Sequence, residues 1–222
     1  MKVLITGSSS GIGEAVAKEF LGKGHEVIGF DKNPASLEDP HYTHYQIDLK
    51  EKGKFPLLEG IDIIVNNAGE QNGDDDIDNN LKTAINVTEK YAFHKGIKSV
   101  LFNASASATS GFEFPQYVAS KAGIVGYMRN VAVRLAKFGA TANSLSLGGV
   151  ITSSNSIVMD DPKAWDEIMK VTPLKKWMSL DEVAAWVYFL TVTNRSMSGE
   201  DILIDNGEYR LNSTFVWPEN KK

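Results

Sequence analysis

The chain contains no cysteine, which excludes disulfides, iron–sulfur clusters, thiolate zinc sites and cysteine nucleophiles together. A reducing, cytoplasmic setting is therefore the expectation. Arginine is scarce as well: only four of the 23 basic residues are arginine, and 28 acidic residues leave a net charge of −5. Nucleic-acid binding needs a basic stripe to meet the phosphate backbone, so the composition points away from it. Long apolar runs are also missing. The longest, 183–192, is about half the ~20 residues that a membrane helix requires, and the opening Met1-Lys2-Val3-Leu4-Ile5-Thr6 is too short for a signal peptide. No membrane association is expected. The four histidines, His25, His41, His44 and His94, have no ligand spacing, and Asp74-Asp75-Asp76 reads as a solvated acidic loop, so no metal is expected.

What is present is a regular alternation. With 222 residues, 42% of them hydrophobic, the chain is long enough for one sizeable core without a covalent staple. No repeat or low-complexity tract interrupts it, and 1–222 reads as one domain. Short β-branched or aliphatic runs at 3–6, 27–31, 42–48, 61–66, 99–105, 142–147 and 202–205 alternate with helix-period stretches at 12–23, 77–95, 116–138 and 180–192. Such alternation predicts an α/β, doubly wound parallel sheet of about seven strands with helices on both faces. Ligands of these sheets bind at the carboxyl ends of the strands, where the strand order reverses.

The first run leads straight into Thr6-Gly7-Ser8-Ser9-Ser10-Gly11-Ile12-Gly13. Strand, glycine turn and helix together form a phosphate cradle. Gly7 permits the turn, Gly11 lets backbone approach a pyrophosphate, Gly13 allows helix to pack on strand, and the helix N-terminus presents free N–H groups. Ser8, Ser9 and Ser10 would add hydroxyl donors. The second run ends in Asp31, 18 residues after Gly13, about where an acid that bonds the adenosine ribose belongs. A carboxylate there repels a 2′-phosphate and favours NAD over NADP, with Lys32 as a counterweight; Asp31 could instead cap the turn before Asn33-Pro34. Asp48 reads either as an adenine contact or as a helix cap before Lys50.

Tyr117-Val118-Ala119-Ser120-Lys121 sets a phenol and an ammonium on one helix face. A nearby Lys⁺ stabilises a phenolate and makes Tyr usable in proton exchange with an alcohol or carbonyl oxygen. Tyr91 and Lys95 share the spacing, but Tyr117 follows, by 12 residues, Ser105 at the end of the fifth run. Small residues there leave room for a ligand.

These motifs, with Asn66-Asn67-Ala68-Gly69, Gly199 and Asp205-Asn206-Gly207, resemble those of the short-chain dehydrogenase/reductase family, and the resemblance spans nearly the whole chain. It implies a Rossmann-type fold and a nicotinamide cofactor. It further implies Tyr117 as general acid/base, Ser105 orienting the substrate oxygen, Lys121 on the nicotinamide ribose, and Asn86 holding a water in the proton relay. Asn67, Ala68 and Gly69 would line the adenosine ribose, and Gly148, Val150 and Thr152 the nicotinamide. Ser107 is the alternative catalytic serine or a further substrate contact, and Asn86 could instead be an ordinary buried polar residue. Leu147-Gly148-Gly149 replaces the family's usual Pro-Gly corner, which predicts a flexible loop. Segment 153–171 would be a substrate lid and 208–222 a tail, whose Phe215-Val216-Trp217-Pro218 would cover the site mouth or a neighbouring subunit. A homo-oligomer, tetramer or dimer, is implied by the two long helices. The resulting expectation is hydride transfer between NAD(H) and a small-molecule secondary alcohol or ketone. The competing readings are an NADPH-dependent 3-oxoacyl thioester reductase and a non-catalytic dinucleotide sensor.

Overall fold

Residues 1–71, 73–112 and 114–211 are described by a computed structural model. β1 (Lys2–Thr6) leads into α1 (Gly11–Gly22), β2 (Glu26–Asp31), β3 (Tyr42–Gln46) and β4 (Ile63–Asn66). A π-helical segment, Ile77–Lys82, then runs into α2 (Thr83–Tyr91), followed by β5 (Ser99–Asn103), α3 (Ser107–Ser110), α4 (Pro115–Leu135) and β6 (Thr141–Leu147). The short α5 (Ser156–Met159) and α6 (Pro162–Val171) precede α7 (Leu180–Tyr188) and β7 (Asp201–Ile204). All seven strands are parallel, in the order β3-β2-β1-β4-β5-β6-β7. This is the doubly wound, Rossmann-type α/β sheet expected from the alternation.

Why the central strands read as unbroken apolar runs is plain from their burial. Parallel strands covered by helices on both faces have no wet side, so alternation disappears. Val3, Leu4, Ile5, Ile63, Ile64 and Val65 are all fully buried. One core holds Phe30, Tyr91, Phe102, Met128 and Leu135; the other holds Val16, Ala17, Phe20, Val183 and Leu190. In α1 the inward residues are the Val16, Ala17 and Phe20 picked out by their spacing. α7 begins with a capping box, Ser179 and Glu182 each satisfying the other's backbone N–H.

The strand order reverses between β1 and β4, and the carboxyl ends there carry Thr6-Gly7 and Asn66-Asn67. Thr6 ties them together: its hydroxyl accepts from the Asn67 and Ala68 N–H groups, each at 3.0 Å.

Two expectations are corrected. The stretch 77–95 is not one regular helix: its first turn is π-helical, and α2 ends at Tyr91. The Gly148-Gly149 corner is not a flexible one. Gly148 N–H bonds the Ile204 carbonyl at 2.9 Å, and the Gly149 carbonyl accepts from Met178 N–H at 3.0 Å. A Cβ on Gly149 would lie 2.0 Å from the Trp177 indole nitrogen, so glycine is required here for close approach of an aromatic ring. Among the described residues no helix is long and apolar enough to cross a membrane. The aromatics of 215–218 lie outside the described residues.

Candidate active site

The cradle is built by contacts that only glycine allows. Gly7 has φ +70°, and a Cβ there would meet the Ala68 Cα and the Asn67 amide at 3.0 Å. At Gly13 a Cβ would fall 2.0 Å from the Gly7 carbonyl oxygen. Gly11, also left-handed at φ +52°, has nothing within 4 Å of its Cβ position. Backbone at Gly11 is therefore open to a ligand beside the N-terminus of α1, whose cap, Ser10, is extended and makes no side-chain cap bond. That combination of a tight turn, an open glycine and a helix N-terminus fits a pyrophosphate.

Asp31 ends β2, buried, beside this loop. Its carboxylate accepts from Ser9 N–H at 3.0 Å and Asn33 N–H at 2.9 Å, so it both caps the turn and faces the cradle. Lys32 is held outward by an ion pair with Glu70. Asp48 accepts from Lys50 N–H at 2.9 Å and opens a turn rather than a helix, since the short helical turn that follows, Lys52–Lys54, has Glu51 at its cap position. Ser8 departs from expectation: it is fully buried and its hydroxyl is turned away from the cradle, accepting from Tyr42 O–H at 3.0 Å. Tyr42 in turn meets His44 Nδ1 at 3.0 Å. Tyr42 and His44 have no motif signal, because their role depends on a strand register that sequence spacing alone does not reveal.

Across the reversal, β5 ends at Asn103, whose side chain donates to the Asn67 Oδ1 at 2.8 Å. Its carbonyl accepts from Lys121 Nζ at 2.9 Å. Lys121 lies one turn after Tyr117 in α4, with its ammonium 5.5 Å from the centre of the Tyr117 ring. Burial of the whole side chain lowers its pKa to about 8, against an opposing influence from Asp76. Just beyond β5 the buried Ser105 hydroxyl donates to Ser107 Oγ at 3.1 Å and accepts from Ser107 N–H at 3.2 Å. Both serines are thus in one cluster, Ser107 being the more deeply covered at 1% exposure against 8%.

Asn86 is not brought into this cluster. It donates to the Leu49 carbonyl at 3.2 Å, on the side of α2 toward the end of β3. Asn80 stands at the site instead. It is fully buried, donates to Ser120 Oγ at 3.0 Å and to the Glu70 carbonyl at 2.9 Å, and accepts from Glu70 N–H at 2.7 Å. A Cβ on Gly69 would lie 2.9 Å from Asn80 Oδ1 and 3.6 Å from Lys121 Nζ, so these three residues converge. The signal was in the periodicity: Asn80, Ala84, Val87 and Tyr91 follow i, i+4, i+7, i+11 along the buried face. Asn86 is six residues from Asn80, about 240° around a regular helix at 100° per residue.

Gly148, Val150 and Thr152, the residues expected on the nicotinamide side, follow directly on β6. Val150 is buried and bridges Met178, and its carbonyl accepts from Asn155 Nδ2 at 2.8 Å. Gly148 packs so closely on Asp205 that a Cβ would lie 2.7 Å from the Asp205 Cβ.

Over most of its length the chain is similar to known oxidoreductases. The family described as Enoyl-(Acyl carrier protein) reductase matches residues 54–208. The chain is similar to 2-dehydro-3-deoxy-D-gluconate 5-dehydrogenase of Bacillus subtilis, 26% identical, with 92% of each protein covered. It is 27% identical to the 3-oxoacyl-(acyl-carrier-protein) reductase FabG of Staphylococcus epidermidis, covering 93% of this chain and 98% of that one. Among solved structures, an Agrobacterium tumefaciens protein provisionally assigned as 2-deoxy-D-gluconate 3-dehydrogenase, with NADP bound, superposes with a TM-score of 0.83 at 25% identity. That match covers 93% of this chain and 95% of the other.

Proposed function

Because the chain belongs to the short-chain dehydrogenase/reductase family of oxidoreductases, we propose that it transfers a hydride between NAD(H) and a secondary alcohol or ketone, with Ser105, Tyr117 and Lys121 as its working side chains. The observation that supports this reading is Lys121, which bonds the Asn103 carbonyl at the carboxyl end of β5, two residues before Ser105, and holds its ammonium over the Tyr117 ring. The glycine turn and the N-terminus of α1 would hold the pyrophosphate of a nicotinamide dinucleotide, which would supply or accept the hydride. In the reducing direction the Tyr117 hydroxyl gives its proton to the carbonyl oxygen as negative charge develops there. Ser105 turns its one hydroxyl proton from Ser107 Oγ to the same oxygen, while the Ser107 N–H continues to hold the Ser105 hydroxyl oxygen in place. Lys121, anchored on the Asn103 carbonyl, would hold the nicotinamide ribose and, as an ammonium, eases loss of the Tyr117 proton.

Asn80 takes the relay position that the resemblance gave to Asn86, behind Lys121 and Gly69. Asn80→Ala is expected to lower kcat at least tenfold with cofactor affinity retained, while Asn86→Ala, which loses one buried hydrogen bond, costs about 1 kcal/mol of stability and spares kcat. Steady-state kinetics paired with thermal melting separate the two; equal kcat losses would return the role to Asn86.

The cofactor preference rests on Asp31, whose carboxylate would accept the ribose hydroxyls and repel a 2′-phosphate. Titration by nicotinamide fluorescence is expected to give tighter NADH than NADPH binding, with Asp31→Ala weakening NADH about tenfold, the scale of a hydrogen bond to a charged group. Tighter NADPH binding by the unaltered protein would overturn this assignment. It would also promote the second reading, reduction of a 3-oxoacyl thioester, which the FabG likeness and the NADP-bound neighbour favour. A non-catalytic sensor would instead bind cofactor and turn over no carbonyl. Phe112 and Phe114, which precede Tyr117, and Ile151 and Ile157, which follow Val150, are exposed, which suits a partly apolar, uncharged substrate. Segment 153–171, where Trp165 meets Trp177 edge-on at 5.1 Å, is the proposed lid.

A further inference from the structure

The acidic run Asp74-Asp75-Asp76 divides in the structure. Asp74 and Asp75 are exposed, but Asp76 has 0% exposure. One of its oxygens accepts from Gly73 N–H at 3.2 Å; the other, Oδ2, is buried without a hydrogen-bond partner. A carboxylate in that condition is costly unless an opposite charge lies close by. Asp76 precedes Asn80 by four residues and extends the buried stripe of Asn80, Ala84, Val87 and Tyr91 back toward the site. Asn80 itself meets Lys121 over Gly69, and Lys121 is the one buried cation among the described residues.

The other ionisable groups on the surrounding elements are engaged elsewhere or exposed. Glu70 pairs with Lys32 and accepts from Asn79, and Asp78 pairs with Lys82. α4 contributes Tyr117, and β5 contributes only the neutral Asn103 carbonyl. Of these groups, Asp76 is the one whose charge acts on Lys121, and it acts to keep the proton on.

We propose that Asp76 is a positioning residue: its buried carboxylate keeps Lys121 in the ammonium form and so sets the alkaline limit of carbonyl reduction and of NADH binding at this site. The inference rests on the roles given above to Tyr117 and Lys121. Removing a negative charge makes the Lys121–Tyr117 pair release its first proton at lower pH. Asp76→Asn is therefore expected to shift the alkaline limb of reduction kcat, and the alkaline loss of NADH affinity read by fluorescence without turnover, about one pH unit downward. Asp76→Glu should bring both midpoints back toward that of the unaltered protein. If the amide does not fit the buried space and Asp76→Asn fails to fold, Asp76→Ser removes the same charge with less bulk and carries the same expectation. Folded variants whose limbs coincide with that of the unaltered protein, however low their kcat, would overturn the proposal. Tyr117→Phe distinguishes this failure from failure of the functional reading: if that variant keeps full activity, the assigned machinery is wrong, whereas a dead Tyr117→Phe with unmoved Asp76→Asn limbs sinks only the role of Asp76.

Discussion

Tyr117→Phe is expected to lower kcat about a thousandfold, within the range seen when a general acid or base is removed, and to leave NADH affinity within a factor of about two. The substitution deletes one oxygen and keeps the ring, so packing at the start of α4 survives. What is lost is the proton donor beside Lys121, whose ammonium lies over the same ring at 5.5 Å. Parallel measurement of NADH binding and carbonyl reduction checks this. If kcat falls less than tenfold, Tyr117 is not the acid, and attention moves to the Ser105–Ser107 pair. The effect should appear in kcat far more than in KM, because the hydroxyl contributes most as charge develops in the transition state.

The second large effect is structural in origin. Gly13→Ala is expected to abolish cofactor binding and to destabilise the fold by about 3 kcal/mol, the upper end of the range for forced overpacking. The added methyl would stand 2.0 Å from the Gly7 carbonyl oxygen and 2.6 Å from the Asn67 amide nitrogen, so α1 cannot stay where it is. Moving it disturbs both the cradle and the inward side chains Val16, Ala17 and Phe20. Gly22→Ala provides the contrast. Its Cβ meets nothing within 4 Å, so that change should be neutral or slightly stabilising. Chemical denaturation and NADH titration of the two variants measure the difference; near-native binding by Gly13→Ala would show that the cradle does not depend on that helix contact.

Much of this was legible in the sequence because its physical causes are local. A strand buried on both faces must be apolar throughout, so β1, β4 and β5 announce themselves, and a helix that starts at Gly11 shows its inward face within two turns. The glycine turn and the Tyr117–Lys121 pair are short-range patterns, each readable within a few adjacent residues. Failures came where the answer depended on phase or on partners distant in sequence. The resemblance points to Asn86, but the buried stripe through Ala84, Val87 and Tyr91 runs back to Asn80 across the π-helical turn at Ile77–Lys82. Three consecutive acids look like a solvated loop, yet Asp76 continues the same stripe and is buried. Gly148-Gly149 looked loose because nothing nearby in sequence reveals that Trp177 packs against it. Ser8 looked like a cradle hydroxyl until the pairing of β2 with β3 placed Tyr42 over it.

The reversal of strand order between β1 and β4 also divides labour along the chain. The acid proposed to choose between the two dinucleotides, Asp31, and the glycine turn it faces precede residue 50, on β1, β2 and their connections. Everything proposed to act on substrate follows β4, on the other half of the sheet. The two tasks are thus written in separate stretches of sequence that meet only along one seam. Selection can retune cofactor choice in the first stretch, or remodel the substrate mouth in the second, without the two changes interfering.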